Sequence, residues 1–172
     1  AEITTFTGQP VVKKADHVRW NIEAAEKGGY EDFMLKEIHE QPRAVRDTLA
    51  GKIDRETKRV TLPEVNLTPD FIKQLKRVHV VACGTAYHAG LAGKYLIEKL
   101  VRIPVEVDLA SEFRYREPLV EKGSLTIIIS QSGETADTLA GLREAKRLGS
   151  RILTITNVVG SSATREADDL IL

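Results

Sequence analysis

The chain has 172 residues, of which 42% are hydrophobic and 29% charged, a composition typical of a soluble globular protein with one full domain and a smaller extra segment. Lysine and arginine total 25, as do aspartate and glutamate, so the sequence carries no broad positive field for nucleic acid or an acidic membrane. Its apolar runs are shorter than the roughly 20 residues that cross a bilayer, and its single cysteine excludes an internal disulfide, so we expect a cytoplasmic protein.

The first predicted elements are two strands, Ile3–Thr7 and Val11–Trp20, which a turn at Gly8-Gln9-Pro10 would join. Two strands alone bury too little apolar surface to be stable. We therefore interpret residues 1–20 as the last strands of a domain that lies upstream, and the chain as a fragment of a longer protein.

Residues 21–60 are predicted to form a helical junction followed by a connector. Apolar residues recur at helical spacing from Tyr30 to Ala50, and Pro42 interrupts them, so two short helices are expected. Gly51 is placed to cap the second helix. The charged segment Lys52–Val60 is predicted to be a solvated connector.

Residues 61–172 alternate regularly between strands and helices. Thr68-Pro69-Asp70 combines the hydroxyl cap, proline and carboxylate of a helix start. Five strands are predicted, at Val78–Cys83, Val105–Leu109, Leu125–Ser130, Arg151–Thr156 and Leu170–Leu172. Helices are predicted between them, at Ala86–Leu100, Thr135–Leu148 and Ser162–Ala167. This order predicts an α/β fold, a flavodoxin-like five-stranded parallel sheet.

Two of the predicted strands end in small polar residues. The first is followed by Cys83-Gly84-Thr85-Ala86, and the third by Ser130-Gln131-Ser132-Gly133-Glu134-Thr135. With the common strand order 2-1-3-4-5, these two strands are neighbours and both turns line one crevice. Unpaired N–H groups at the start of the following helices favour an anion there.

We predict that the two turns form a phosphate cradle of uncharged donors. The donors are the hydroxyls and the amide of Thr85, Ser130, Gln131, Ser132 and Thr135, supported by backbone at Gly84 and Gly133. Hydrogen bonds to a charged partner contribute roughly 1.5–3 kcal/mol each, so three or four can hold a phosphate. The sequence has no GxxxxGK[ST] loop, which favours binding over phosphoryl transfer. The simpler alternative is that these hydroxyls only cap helices.

Other reactive side chains make weaker candidates. Cys83 is interpreted as a small core residue, with a nucleophile as the alternative. The scattered histidines are assigned no catalytic or metal-binding role; they are His17, His39, His79 and His88. Glu112–Glu117 is interpreted as a solvated connection, and arginine contacts to a partner subunit are the alternative.

Four segments, CGTAYHAG, ASEFRYRE, SQSGETADTLAGLREAK and NVVGSS, resemble the sugar isomerase (SIS) domain of the glutamine–fructose-6-phosphate aminotransferase family, the glucosamine-6-phosphate synthases. The SQSGET motif alone would mark SIS proteins in general. The upstream segment GGYEDFMLKEIHEQP resembles the junction between the glutaminase domain and the first SIS domain of that family. The resemblance thus assigns residues 1–20 to the glutaminase domain, 21–60 to the junction and 61–172 to the first SIS domain.

The resemblance implies an enzyme that makes glucosamine 6-phosphate from fructose 6-phosphate and glutamine, the first step of amino sugar biosynthesis, without metal or nucleotide cofactor. By position in the motifs, the sugar phosphate would be held by Thr85, Ser130, Gln131, Ser132 and Thr135. The family's nucleophilic cysteine and its isomerase histidine, glutamate and lysine have no counterpart here. We therefore expect no catalytic residue in this chain, which should be inactive alone.

Two further expectations follow from the resemblance. The chain should act as a homodimer, and Ala86 stands where many members have serine, so one hydroxyl contact is missing. The alternative function is a sugar-phosphate-sensing regulator, in which an SIS module controls a DNA-binding domain. Such proteins usually have a basic helix-turn-helix upstream, whereas the upstream helices predicted here are mixed in charge.

Overall fold

The computed structural model describes residues 2–12 and 26–172. The chain divides into two compact units, Ala1–Ala50 and Gly51–Leu172. Every strand of the large sheet belongs to the second unit. In the described ranges, no helix has both the length and the apolar character that a membrane span requires.

The first unit contains one long helix, α1 (Phe33–Leu49), with Pro42 inside it. The prediction of two short helices was therefore wrong. The fixed φ of proline suits a helix, but Pro42 has no N–H to donate to the Ile38 carbonyl. Because Ile38 is exposed, water can reach that turn. Of the predicted strand pair, one bridge between Thr4 and Pro10 is present, and positions 13–20 of the second strand lie outside the described residues.

The second unit begins with a small antiparallel hairpin, β1 (Ile53–Asp54) and β2 (Arg59–Val60). The segment predicted to be a solvated connector is indeed largely exposed, but it also forms this hairpin, which was not predicted. The turn forms because the Asp54 carboxylate accepts hydrogen bonds from the N–H groups of Glu56 and Thr57, at 2.9 and 3.2 Å. Such an aspartate turn satisfies backbone donors locally.

The main sheet has five parallel strands in the order β4-β3-β5-β6-β7. They are β3 (Val78–Ala82), β4 (Val105–Leu109), β5 (Leu125–Ile129), β6 (Arg151–Ile155) and β7 (Asp169–Ile171). This order confirms the predicted flavodoxin-like arrangement. Helix α2 (Pro69–Gln74) precedes β3, and the strands are connected by α3 (Gly84–Val101), α4 (Ala110–Phe113), α5 (Ala136–Arg147) and α6 (Ser162–Glu166).

Helices cover both faces of this sheet. On one face Val81, Ile128 and Ile152 pack with Leu142 of α5 and with Phe113. On the other face the strands pack against Phe71 of α2, Leu75 directly after it and Ile97 of α3. The prediction of a solvated loop was therefore wrong at Phe113, which is fully buried because α4 turns the chain back over the sheet.

The register of the central strands sets the position of the two polar turns. Ala82, the last residue of β3, pairs with Ile129, the last residue of β5. Both strands therefore end at the same level, and the turns that follow them start side by side. Two long helices, α3 and α5, begin at this edge, where parallel α/β sheets usually bind ligands.

Candidate functional site

A cavity of about 210 Å³ opens at the carboxyl ends of β3 and β5. This volume is several times the roughly 30 Å³ that one water molecule occupies in the liquid, so the cavity has room for a phosphate-sized group. The structure brings all five predicted donors together in its lining: Thr85, Ser130, Gln131, Ser132 and Thr135. The other lining residues are Cys83, Ala86, Ile129 and Thr138.

The first turn passes directly from β3 into α3. Gly84 has a φ of +55°, a left-handed conformation that glycine adopts without steric cost. Cys83 occupies the N-cap position and makes no side-chain bond to the helix. The start of this 18-residue helix thus brings the positive end of its dipole to the cavity rim, next to the exposed Thr85.

The second turn uses its serines to fix its own backbone. The Oγ of Ser130 accepts a hydrogen bond from the Gly133 N–H at 3.1 Å, and the Oγ of Ser132 accepts one from the Glu134 N–H at 3.2 Å. Each hydroxyl keeps its proton for a ligand. Thr135 is the N-cap residue of α5, yet its side chain makes no capping bond, so capping does not account for its hydroxyl.

The connection between β6 and α6, together with α6 itself, makes hydrogen bonds to the main chain of the second turn. The carbonyl of Gln131 accepts bonds from the Asn157 N–H at 3.3 Å and from the Thr156 Oγ1 at 3.2 Å. The Gly133 carbonyl accepts a bond from the Ala163 N–H at 3.0 Å. Sequence reasoning missed this support, since main-chain contacts between distant loops leave no spacing pattern.

Gly133 is enclosed as well as left-handed, with a φ of +66°. A Cβ at this position would lie 2.2 Å from the Oγ and 2.7 Å from the Cβ of Ser161. Ser161 is buried. Only glycine therefore fits at this point of the turn without displacing a neighbour.

Thr138 joins α5 to the first turn within the cavity lining. It is buried, and its Oγ1 donates a hydrogen bond to the Sγ of Cys83 at a donor-to-sulfur distance of 3.6 Å. Cys83 packs against the core but is only partly buried, so the core interpretation was incomplete. Sequence analysis missed Thr138, although its position three residues after Thr135 places both on one face of the helix.

The lining side chains are uncharged, and the nearest charges in sequence are turned to other partners. Asp137 pairs with Arg114, with 3.2 Å between Oδ1 and Nη1. Glu134 accepts a hydrogen bond from the Ser162 N–H at 2.7 Å. Across residues 2–12 and 26–172, no cluster of three or more histidine, cysteine, aspartate or glutamate side chains could hold a metal ion.

His79 lies in β3 but not in the cavity lining. It is fully buried, and neither ring nitrogen has a hydrogen-bond partner within the described part of the chain. Burial lowers the pKa of His79, whereas the negative charge of Glu106 acts to raise it. The Oε2 of Glu106 lies 3.9 Å from the Nδ1 of His79. His39 stacks on Tyr30 with ring centroids 5.4 Å apart, and His17 lies outside the described residues.

The family model described as the SIS domain matches residues 71–172. The chain is 60% identical over 162 residues to the isomerizing glutamine–fructose-6-phosphate aminotransferase of Clostridium perfringens, covering 94% of this chain and 26% of that protein. It is 60% identical over 166 residues to the protein of the same name from Symbiobacterium thermophilum, covering 96% and 27%. The chain thus spans about a quarter of the length of these relatives.

A solved structure is also similar. It is the C-terminal domain of glucosamine-fructose-6-phosphate aminotransferase from Francisella tularensis, with 42% sequence identity and a TM-score of 0.74. The match covers 86% of this chain and 40% of that one. Sequence and structure therefore point to the same set of relatives.

Proposed function

The chain belongs to the SIS domain family, and on that premise we propose that it is the sugar-phosphate-binding part of an enzyme that makes glucosamine 6-phosphate. The substrates of the whole reaction would be fructose 6-phosphate and glutamine, as the names of its relatives suggest. The chain would work in the cytoplasm and as a homodimer.

The convergence of the two polar turns is the observation that carries this proposal. Hydroxyls from both turns line one cavity, and two helices begin beside it. Each hydrogen bond to a charged phosphate oxygen contributes about 1.5–3 kcal/mol. Each helix start adds about 0.3–1 kcal/mol when exposed. Together these contributions suffice for a phosphate without lysine or arginine.

The role proposed for the cavity is anchoring rather than chemistry. Its donors would be Thr85, Ser130, Gln131, Ser132 and Thr135, with Gly84 and Gly133 allowing close backbone approach. A phosphate does not react in this conversion, but holding it fixes the sugar, and that binding energy aligns the reacting carbons. We assign no catalytic residue and no cofactor to this chain.

The test is the affinity of the chain for fructose 6-phosphate, measured by isothermal titration calorimetry. Ser132→Ala removes a hydroxyl donor, so we expect the dissociation constant to rise roughly tenfold, as the loss of about 1.4 kcal/mol implies. Thr61→Ala, which removes an exposed hydroxyl outside the cavity, serves as the control. Fructose without phosphate should bind to neither variant.

An unchanged affinity in Ser132→Ala would refute the site assignment. The activity is tested separately, in a polypeptide with the full length of the relatives, by measuring formation of glucosamine 6-phosphate. Sugar-phosphate binding without amino sugar formation would instead favour a sugar-phosphate-sensing regulator.

A further inference from the structure

Glu134 places a carboxylate within the turn that we propose to bind a phosphate. A free carboxylate here would repel the ligand, because like charges a few ångströms apart disfavour one another. In the structure its Oε1 accepts a hydrogen bond from the Ser162 N–H at 2.7 Å. Ser162 is the first residue of α6, so the carboxylate is tied to the start of that helix.

The surroundings of Glu134 keep it ionised. Its pKa is lowered first by the hydrogen bond from the Ser162 N–H, then by the Ser162 side chain and by the positive charge of Arg165. Glu166 opposes them. An ionised acceptor forms a stronger hydrogen bond than a neutral one, so the tie to Ser162 is strongest at pH values above the lowered pKa of Glu134.

The bond between Glu134 and Ser162 is one of several that join the Ser130–Thr135 turn to residues 156–163. Gln131 and Gly133 are held through their main-chain carbonyls, whereas Glu134 contributes the side-chain bond. On the basis of the proposed function, we propose that Glu134 is a positioning residue for phosphate binding. Its bond to Ser162 fixes the Ser130–Thr135 turn and directs its charge away from the ligand.

Two substitutions at position 134 separate positioning from simple repulsion. Glu134→Ala removes the acceptor, and we expect fructose 6-phosphate to bind about three- to tenfold more weakly. Glu134→Gln keeps an acceptor oxygen without the charge, and it should recover part of that affinity. If Glu134 only repelled the ligand, both variants would bind more tightly.

Asp137→Ala is the matched charge control. Asp137 lies in the first turn of α5 and, like Glu134, is an acidic residue close in sequence to the cavity lining, but it pairs with Arg114. Removing its charge without touching the Ser162 bond should leave the affinity within about twofold.

The donor can be removed from the other side of the bond. Ser162→Pro lacks the N–H, and proline is tolerated at the first position of a helix. Ser161 has a φ of −63° and a ψ of 164°, which suits a residue before proline. We expect Ser162→Pro to weaken binding as much as Glu134→Ala does, whereas Ser162→Ala should retain most of the affinity. The double variant Glu134→Ala/Ser162→Pro should lose no more affinity than either single variant, because both substitutions remove the same bond.

Amide hydrogen exchange of the ligand-free chain gives a second readout and a check on folding. In Glu134→Ala, exchange should accelerate at Gly133 and at the substituted position while the amides of β5 keep their protection. If the wild-type chain binds fructose 6-phosphate and Glu134→Ala binds it equally well or more tightly, the positioning role alone is overturned. No sugar-phosphate binding by the wild-type chain would overturn the proposed function and the positioning role with it.

Discussion

Gly133 and Gly84 have similar backbone angles but different surroundings. Both have positive φ values, +66° and +55°. A Cβ at position 133 would overlap Ser161, whereas one at position 84 would meet no atom within 4 Å. The two glycines therefore separate the cost of the backbone conformation from the cost of crowding.

We predict that Gly133→Ala destabilises the chain more than Gly84→Ala. Left-handed backbone costs about 1–2 kcal/mol for alanine, so Gly84→Ala should lower the free energy of unfolding by about that amount. Gly133→Ala adds the displacement of buried Ser161 and should cost at least about 1 kcal/mol more. Urea unfolding of both variants measures the difference, and equal losses would contradict the crowding at position 133.

The residues of the cavity could largely be predicted from the sequence. The hydroxyls of Thr85 and Ser132 follow strands that the apolar pattern identified, and the topology brings strand ends together. Ser161 and Thr156 could not be found this way. Their effect depends on tertiary contacts with a turn some 25 residues earlier, and serine or threonine in a loop has no distinctive pattern.

At the scale of elements, the outer strand β4 is protected by charged side chains of α3. The Oε1 of Glu98 accepts a hydrogen bond from the Val105 N–H at 3.0 Å, and the Nζ of Lys94 donates one to the Val105 carbonyl. Lys94 and Glu98 also pair with each other at 2.6 Å. Main-chain groups at a sheet edge otherwise invite pairing with another chain.

We predict that the double variant Lys94→Ala/Glu98→Ala raises the tendency of the chain to self-associate. The substitutions free the N–H and carbonyl of Val105 and leave the net charge unchanged. Light scattering across a concentration series measures the effect. Glu144→Ala/Arg147→Ala removes an ion pair of α5 and is the control. Equal association by both variants would refute the protective role.

Elements were predicted best where burial determines them. The five strands and three of the helices of the sheet domain were found to within about two residues, and the apolar pattern is clearest in β3, whose five residues are all buried. Two of the misses fell in exposed segments, where α1 runs through Pro42 and where the Asp54 side chain forms a hairpin turn that was not predicted. The packing of Phe113 was missed because a single apolar residue among charges has no periodicity.

At the scale of the Gly51–Leu172 unit, Asp169 joins the last strand to the segment before α2. It is fully buried and accepts hydrogen bonds from the Asn66 N–H at 2.6 Å and from the Nε of Arg151 at 2.6 Å. Burial alone would raise the pKa of Asp169, but these bonds outweigh it and lower the pKa below its ordinary value.

We predict that the hydrogen bonds of Asp169 make the free energy of unfolding depend on pH in the acidic range. Because the folded pKa of Asp169 is depressed, its contribution is complete above the unfolded value of about 3.9 and is lost as pH falls through the folded value. Asp169→Asn should therefore cost about 3 kcal/mol at pH 7, and less at pH 3. Urea unfolding at both pH values tests this, with the exposed Asp70→Asn as the control. A cost that is the same at both pH values would contradict it.

The uncharged cavity lining has a consequence for how phosphate binding would depend on dissolved salt. Phosphate sites built on lysine and arginine lose affinity as dissolved salt screens their charges. In the proposed site, uncharged hydroxyls and peptide N–H groups would contact the phosphate directly, and such short-range hydrogen bonds depend less on dissolved salt than the attraction between full charges does. A phosphate held in this way would lose less occupancy as the ionic strength rises than one held by lysine or arginine.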